Sequence, residues 1–301
     1  MTPFWRPLSS TDIDIYTKYY SMIETDITDL TFHCRYAWND LFKVEWAVIE
    51  DCFVQISDGG GHTAPFMLMP LGRLNADKIR EIISTVKQAF DSRGWKFRIY
   101  GIEENLKHLF EQVDIPKRLD FDADFSDYLY DAEALRTLPG KKYSKKRNHW
   151  SRFLRFYPDY EYVTLSPDVF DECLELVRFW ANEKGIDIAD PDDSDYYMIE
   201  RIFKRWNDLE ARGGAIRIDG NLVAFSVGSK GRSDTGFIHF EKADTNYDGL
   251  YVAINKLVLE NEFPEIRYVN REEDLGIPGL RKAKESYFPV RKVNKWRLEL
   301  L

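Results

Sequence analysis

"GGAIRIDGNLVAFSVGSK", Gly213 to Lys230, reads as two strands joined by a tight turn at Asp219-Gly220, a pair that favours the left-handed backbone a two-residue hairpin needs. The next three segments extend the pattern. "TGFIHFEKA" (Thr235 to Ala243) is a strand, "DGLYVAINKLVLENEF" (Asp248 to Phe263) a helix and "EIRYVNRE" (Glu265 to Glu272) another strand. The first half runs in the same order. "EWAVIEDCFVQISD" gives a hairpin turning at Glu50-Asp51, and "PFMLMPLG" a strand. "NADKIREIISTVKQAFDSRG" is an amphipathic helix with Ile79, Ile82, Ile83, Val86 and Phe90 on one face and Gly94 closing it, and "WKFRIYGI" the next strand. Phe66 to Tyr100 is about as long as Phe237 to Asn270. This order implies a duplicated unit, packed as tandem α+β domains with mixed sheets flanked by helices. The expected domains are residues 1–138 and 139–301, divided near Leu138-Pro139-Gly140, the second carrying the active site.

Helical material precedes the second hairpin. "SPDVFDECLELVRFWANEKG" has Ser166 as N-cap, Pro167 at the first helical position and Gly185 as stop, with Phe170, Cys173, Leu174, Val177 and Trp180 as its apolar stripe. "SDYYMIERIFKRWNDLEARGG" comes next, with Tyr197, Ile199, Ile202, Phe203, Trp206 and Leu209 apolar. Helix, helix, hairpin, strand, helix, strand is the element order of a GNAT-type N-acyltransferase.

The chain has a formal net charge of −9 and is 44% hydrophobic, which suits a globular protein and argues against general nucleic-acid binding. Any polyanion site must be local. Cys34, Cys52 and Cys173 are isolated, without zinc or disulfide spacing, so no metal site is expected. "MTPFWRPLSSTDIDIY" lacks a signal-peptide layout, and no apolar run approaches the roughly 18 to 20 residues of a membrane span. A cytoplasmic protein is expected, peripheral at the inner membrane face if it meets a membrane.

Three constellations carry chemistry. "GKKYSKKRNHWSRFLRF" (Gly140 to Phe156) holds seven Lys/Arg and no acid. On a helix, Lys142, Lys145, Lys146, His149 and Arg152 share one broad face, and Pro158 ends the run. Either this is a solvated face neutralised by Asp120, Asp122, Asp124, Asp127, Asp131 and Glu133 upstream, or it is a strip for phosphates, with Arg147 and Asn148 adding donors. Second, the strand ending in Glu241 leads through Tyr247 and Asp248 to Gly249, the junction where acyl-CoA enzymes cradle pyrophosphate on backbone N–H groups. A single glycine there is sparse for that purpose. Third, "YVNREEDLGIPGLRKAKESYFP" (Tyr268 to Pro289) sets Asn270, Arg271, Glu272, Glu273 and Asp274 after a strand and Arg281, Lys282 and Lys284 on a short helix. Such a cluster either polarises an ester carbonyl or is an ion-pair network. His149 and His239 are isolated and read as structural. Walker, GxSxG and HExxH motifs are missing.

"GKKYSKKRNHWSRF", "HFEKADTNYDGLYVAINK" and "YVNREEDLGIPGLRKAKESYFP" closely resemble proteins related to the C-terminal catalytic domain of phosphatidylglycerol lysyltransferase. The likeness spans nearly the whole chain. More distantly the chain is similar to Fem-type aminoacyltransferases, which share the doubled fold. The resemblance implies transfer of an aminoacyl group from charged tRNA to an amine or hydroxyl, of lipid-headgroup or cell-wall type. The basic helix would then steer the tRNA acceptor end, Asp274, Arg281, Lys282 and Lys284 would meet the ester, and Glu241 and Tyr247 would line the cleft. A coenzyme A-dependent acetyltransferase and a non-catalytic ligand- or RNA-binding member are the alternatives. No further cofactor is expected.

Overall fold

The computed structural model describes residues 3–60, 63–190, 194–232 and 234–301; the first two residues of the N-terminal stretch read for a signal lie outside this set. The chain forms two compact units, Met1–Asp127 with Val293–Leu301, and Tyr128–Lys292.

The first unit contains β1 (Arg6–Pro7), β2 (Glu45–Ile49), β3 (Cys52–Ser57), β4 (Phe66–Leu68), β5 (Arg98–Glu103) and β6 (Lys117–Phe121), with helices α1 (Ile13–Tyr20), α2 (Phe32–Ala37), α3 (Asn39–Phe42), α4 (Ala76–Arg93) and α5 (Lys107–Glu111). The sheet order is β1-β2-β3-β4-β5-β14-β6, where β14 (Lys295–Leu300) is the last strand of the chain. Glu50 and Asp51 both take positive φ, so the β2–β3 turn twists with its strands. β4 and β5 pair in parallel, and α4 makes the crossover between them. The Asn75 side chain accepts from the Lys78 N–H at 2.9 Å, capping α4, and Gly94 ends it in the left-handed conformation. Ile79, Ile82, Ile83, Val86 and Phe90 are the buried stripe, as their spacing predicts.

An ion cluster lies inside this unit. Lys295 Nζ is 2.6 Å from Asp29 Oδ2 and 2.6 Å from Asp127 Oδ1, and Asp127 is fully buried. The Thr28 N–H donates to Asp127 Oδ2, and Arg35 pairs with Asp29 at 3.0 Å. Removing the shared cation strands the Asp127 carboxylate away from water. Lys295→Met should therefore destabilise the protein by about 3–5 kcal/mol in urea denaturation. A loss within experimental error would show that Lys295 does not carry the cluster.

The second unit contains β7 (Asp127–Asp131), β8 (Glu161–Thr164), β9 (Arg212–Ile218), β10 (Asn221–Lys230), β11 (Thr235–Ala243), β12 (Tyr268–Asn270) and β13 (Arg291–Val293). Its helices are α6 (Ala132–Thr137), α7 (Ser144–Phe156), α8 (Phe170–Lys184), α9 (Tyr196–Phe203), α10 (Leu250–Asn261) and α11 (Pro278–Glu285). The sheet runs β13-β7-β12-β11-β10-β9-β8. Asp219 and Gly220 both have positive φ in the β9–β10 turn, and β11 pairs in parallel with β12 across α10. The hairpin–strand–helix–strand order is thus built twice. α8 opens with a 3-10 turn over Pro167–Val169, and Gly185 closes it. On α9, Tyr197 is exposed while its neighbours Tyr196 and Met198 are buried, one departure from the expected stripe.

The strand bookkeeping differs from chain order. β7 lies before the expected 138/139 division, yet it pairs with β12 in the second sheet; β14 lies at the chain's end, yet it pairs with β5 and β6 in the first. Leu138 and the whole of α6 fall inside the second unit, and Val293–Leu301 fall in the first.

The parallel pairing of β11 and β12 lasts only from Thr235↔Tyr268 to Phe237↔Asn270. β12 ends there while β11 continues to Ala243. The sheet therefore opens at the carboxyl ends of two parallel strands, where backbone and side chains are free to meet a ligand.

Candidate active site

Glu241 projects from the part of β11 beyond its pairing with β12, and Arg271 is the first residue after β12. Arg271 Nη2 donates to Glu241 Oε1 at 2.9 Å, and both side chains are almost buried. The second carboxylate oxygen, Glu241 Oε2, is buried without a hydrogen-bond partner. Aromatic rings frame the pair. The Arg271 guanidinium carbon is 5.0 Å from the ring centre of Tyr287 and 5.9 Å from that of Tyr130 on β7. Lys146, on α7, sets its ammonium 3.5 Å from the centre of the same Tyr287 ring. Burial, with the Arg271 charge added, pushes Lys146 down to about 8, against the pull of Glu241. Burial also pushes the Tyr287 phenol up to about 12, so it stays protonated at neutral pH. The opening thus holds two cations, one carboxylate and two neutral tyrosines.

The turn after Arg271 is pinned from several sides. Asp274 is fully buried and accepts from Arg281 Nε at 2.9 Å, Arg281 Nη2 at 2.7 Å, the Tyr128 hydroxyl at 2.5 Å and the Gly276 N–H at 2.9 Å. The Arg281 bonds, aided by Tyr128 and Gly276, outweigh burial and hold the Asp274 carboxyl well below the usual carboxylate range. Lys284 Nζ donates to the carbonyls of Arg271 and Glu272, the latter at 3.0 Å. Asn270, fully buried, accepts the Glu272 N–H on Oδ1 at 2.6 Å. On α11, Arg281 and Lys284 lie three residues apart and face this turn, while Lys282 is exposed. Asp274, Arg281 and Lys284, expected at the ester, are instead engaged with one another and with the backbone that carries Arg271. A carboxylate so fully donated to cannot accept a further proton near neutral pH.

His239 is not isolated. Its Nε2 is 2.8 Å from Ser229 Oγ and its Nδ1 is 3.3 Å from Glu272 Oε1. Burial pushes the imidazole down to about 3, so it is neutral, and Ser229 is itself buried. A Ser–His–Glu row whose serine faces the core anchors Glu272; it offers no accessible nucleophile.

The basic segment becomes a 3-10 turn over Lys141–Tyr143 followed by α7, with Phe153 its one buried residue in the helix. Lys142, Lys145 and Asn148 are exposed, and Lys146 turns inward. Arg147 is committed elsewhere: its Nη1 donates to the carbonyls of Leu138 and Gly140, closing the end of α6. Arg152 pairs with Asp248. The acids upstream have their own partners, Asp120 with Arg297 and Arg118, Asp127 with Lys295, Glu133 with Arg136, and Asp131 with the Ala134 N–H.

Gly249, expected as a phosphate cradle, serves packing. Its φ is +82°, and a Cβ there would sit 2.3 Å from the His149 carbonyl oxygen. The start of α10 thus lies directly beneath the α7 backbone. Tyr247 packs against Tyr157 at a tilt, with ring centres 5.3 Å apart, in that same packing layer. Tyr130 and Tyr287 are not among the sequence candidates; no spacing rule links a strand residue before α6 to one after α11.

Taken together, a split mixed sheet, a pinned turn and a net-cationic opening define an acyltransferase-type fold with GNAT-like units in tandem. Residues 21–299 match the family model described as phosphatidylglycerol lysyltransferase, C-terminal, and the chain belongs to that family, a family of transferases. A conserved protein of unknown function from Bacteroides thetaiotaomicron has a solved structure with TM-score 0.91 and 31% identity, covering 99% of this chain and 100% of that one. L-PGS from Bacillus licheniformis superposes with TM-score 0.67 at 16% identity over 98% and 93% of the two chains. FemX does so with TM-score 0.65 at 9% identity over 99% and 97%. These last two share the fold. The uncharacterized protein MYCGA3080 of Mycoplasmoides gallisepticum is 23% identical over 181 residues, and the match spans 58% of this chain and 56% of that curated relative. Among the described residues no helix is long and apolar enough to cross a membrane.

Proposed function

We propose that the opening between β11 and β12 transfers an aminoacyl group from charged tRNA to an amine or hydroxyl acceptor. One observation carries the reading: Lys146, on the basic helix, and Arg271, in the split sheet, meet on the single ring of Tyr287. A strip suited to a phosphate backbone therefore ends where a carbonyl would find two cations. The family and the L-PGS and FemX folds support the same class of chemistry.

In this reading the acceptor's nucleophile forms a bond to the ester carbonyl carbon. The developing oxyanion is stabilised by Arg271 and Lys146, preorganised and shielded from water. Collapse breaks the bond to the ribose oxygen, which leaves with the proton lost by the nucleophile. Glu241 fixes Arg271, and Asp274, Arg281 and Lys284 are positioning residues that hold its backbone. Coenzyme A fits less well, because the start of α10 is covered by His149 of α7.

Binding of charged tRNA to the full chain tests the first half of this proposal. Affinity should fall steeply with salt, and Lys142→Ala/Lys145→Ala should reduce the slope of log K against log salt by about 1.5, as expected for two lost phosphate contacts. A salt-insensitive affinity, or an unchanged slope, would rule out α7 as the RNA strip.

A further inference from the structure

β6 (Lys117–Phe121) stands last in the strand order of the first sheet, with β14 on one side of it. Which backbone groups face the other side follows from one bond. The Leu301 N–H donates to the Pro116 carbonyl at 3.1 Å, and the register runs on from there to Glu299↔Arg118 and Arg297↔Asp120. Bonded pairs alternate along an antiparallel ladder. Arg118 and Asp120 therefore turn their backbone groups to β14, while Lys117, Leu119 and Phe121 turn theirs outward. Among the described residues no hydrogen bond reaches those outward groups. Such a row is a template for another strand.

The side chains limit which strand fits. Arg118 and Asp120 share one face, 3.2 Å apart, and extend rows of alternating charge. One row runs from Arg98 to Glu299 at 3.1 Å and from Glu299 to Arg118 at 2.6 Å; the other pairs Arg297 with Asp120. The opposite face carries Lys117, Leu119 and Phe121, with Phe121 39% exposed and its ring centre 4.9 Å from that of Trp296. Charges on an edge ordinarily oppose strand addition. In a parallel, in-register pair of two β6 strands, Arg118 would meet Arg118 and Asp120 would meet Asp120. An antiparallel pair centred on Arg118 or on Asp120 sets like charges opposite each other as well. Centred on Leu119, the segment is a charge palindrome: Arg118 falls opposite Asp120 of the second copy, twice, and both rows go on alternating through the junction. The backbone agrees with that centre. It makes bonded pairs of Leu119 with Leu119 and of Lys117 with Phe121, the residues whose groups point outward, and leaves Arg118 and Asp120 in the non-bonded pairs whose side chains come closest. The Lys117 ammonium is already held by the Glu111 carbonyl at 3.2 Å and by the Val113 carbonyl, so its aliphatic stem is what meets the Phe121 ring.

We propose that β6 is a dimerisation edge. A second copy of the chain adds its own β6 antiparallel, across a two-fold axis at Leu119, and joins two seven-stranded sheets into one. This goes beyond the transfer reading and stands whether or not the chain moves an aminoacyl group.

Sedimentation velocity of the full chain over a concentration series tests it. Wild type should show a reversible monomer–dimer equilibrium. Arg118→Asp alone and Asp120→Arg alone should each weaken it at least about tenfold, because two cross-strand pairs turn from attractive to repulsive. An equimolar mixture of these two variants should dimerise again, since each copy then sets Asp against Arg at both positions. Circular dichroism melting serves as the fold control. If either variant melts early, Leu119→Cys replaces the pair: the two-fold sets its two Cα atoms about 5.5 Å apart, so mild oxidant should link the copies by a disulfide, and Asp114→Cys should not be linked. Wild type that stays monomeric at every concentration overturns the proposal. A dimer that both charge variants retain overturns it in favour of another surface. Variants that lose the dimer alone and do not regain it when mixed overturn it too, because the charges would then act only within one chain. Failure of Leu119→Cys to link, or equal linking by Asp114→Cys, does the same.

Discussion

Arg271→Met should abolish measurable aminoacyl transfer and cost about 3–5 kcal/mol of folding stability. Both effects come from one side chain. Arg271 makes the only bond to Glu241 Oε1 among the described residues, and Glu241 Oε2 is already without a partner. Removing the guanidinium leaves a carboxylate buried beside Tyr130 and Tyr287 with no donor. Catalytically, losing one preorganised oxyanion donor costs about 10²–10³ in kcat. The two effects separate in Arg271→Met/Glu241→Gln. With neither charge present, stability in urea should recover most of the loss, while transfer stays absent. If the single variant kept a tenth or more of the wild-type rate, Arg271 would not be the group that meets the ester.

Asp274→Asn should lower both stability and transfer, with a loss of about 2–4 kcal/mol of stability, because a fully buried carboxylate with charge-assisted donors on both oxygens is replaced by an amide that must donate where it formerly accepted. The pH dependence has a definite sign. The folded carboxyl titrates below its unfolded value, near 3.9, so its stabilisation is complete above about pH 4 and is lost as pH falls through that value toward the folded one. Urea midpoints measured between neutral and acid pH should therefore fall steeply for wild type below about pH 4, and less steeply for the Asn variant. Parallel curves would mean that Asp274 contributes no proton linkage. Transfer should fall through kcat, since the turn that holds the Arg271 backbone loosens while the α7 strip stays as it was.

The repeat was readable because each element announced itself locally. Asp219-Gly220 and Glu50-Asp51 marked two hairpins, and Asn75 and Gly94 bracketed α4. Sheet membership was not readable, because pairing partners, not chain order, decide it: β7 and β14 join the sheets of the halves they lie outside by sequence. In the site, Glu241, Arg271 and Lys146 were all visible as charged residues near strand ends or on the basic helix. Their ranking was not. "NREEDLGIPGLRKAK" places seven charges in a short span, and spacing alone cannot say which are turned inward. The pitch of α11 sends Arg281 and Lys284 to the turn and Lys282 to solvent, so the residues with the densest charge pattern became supports. Gly249 had two physical meanings, a phosphate cradle or a close backbone approach, and only the position of His149 distinguishes them.

The central claim is that Lys146 and Arg271 receive an aminoacyl ester. Its most direct test is incubation of the full chain with a radiolabelled pool of charged tRNA and cell extract, tracing where the label goes. With wild type, label should move from tRNA to a stable acceptor. With Arg271→Met/Glu241→Gln it should remain on tRNA, apart from spontaneous hydrolysis. Equal transfer by both proteins, or none by wild type despite salt-dependent tRNA binding, would contradict the claim.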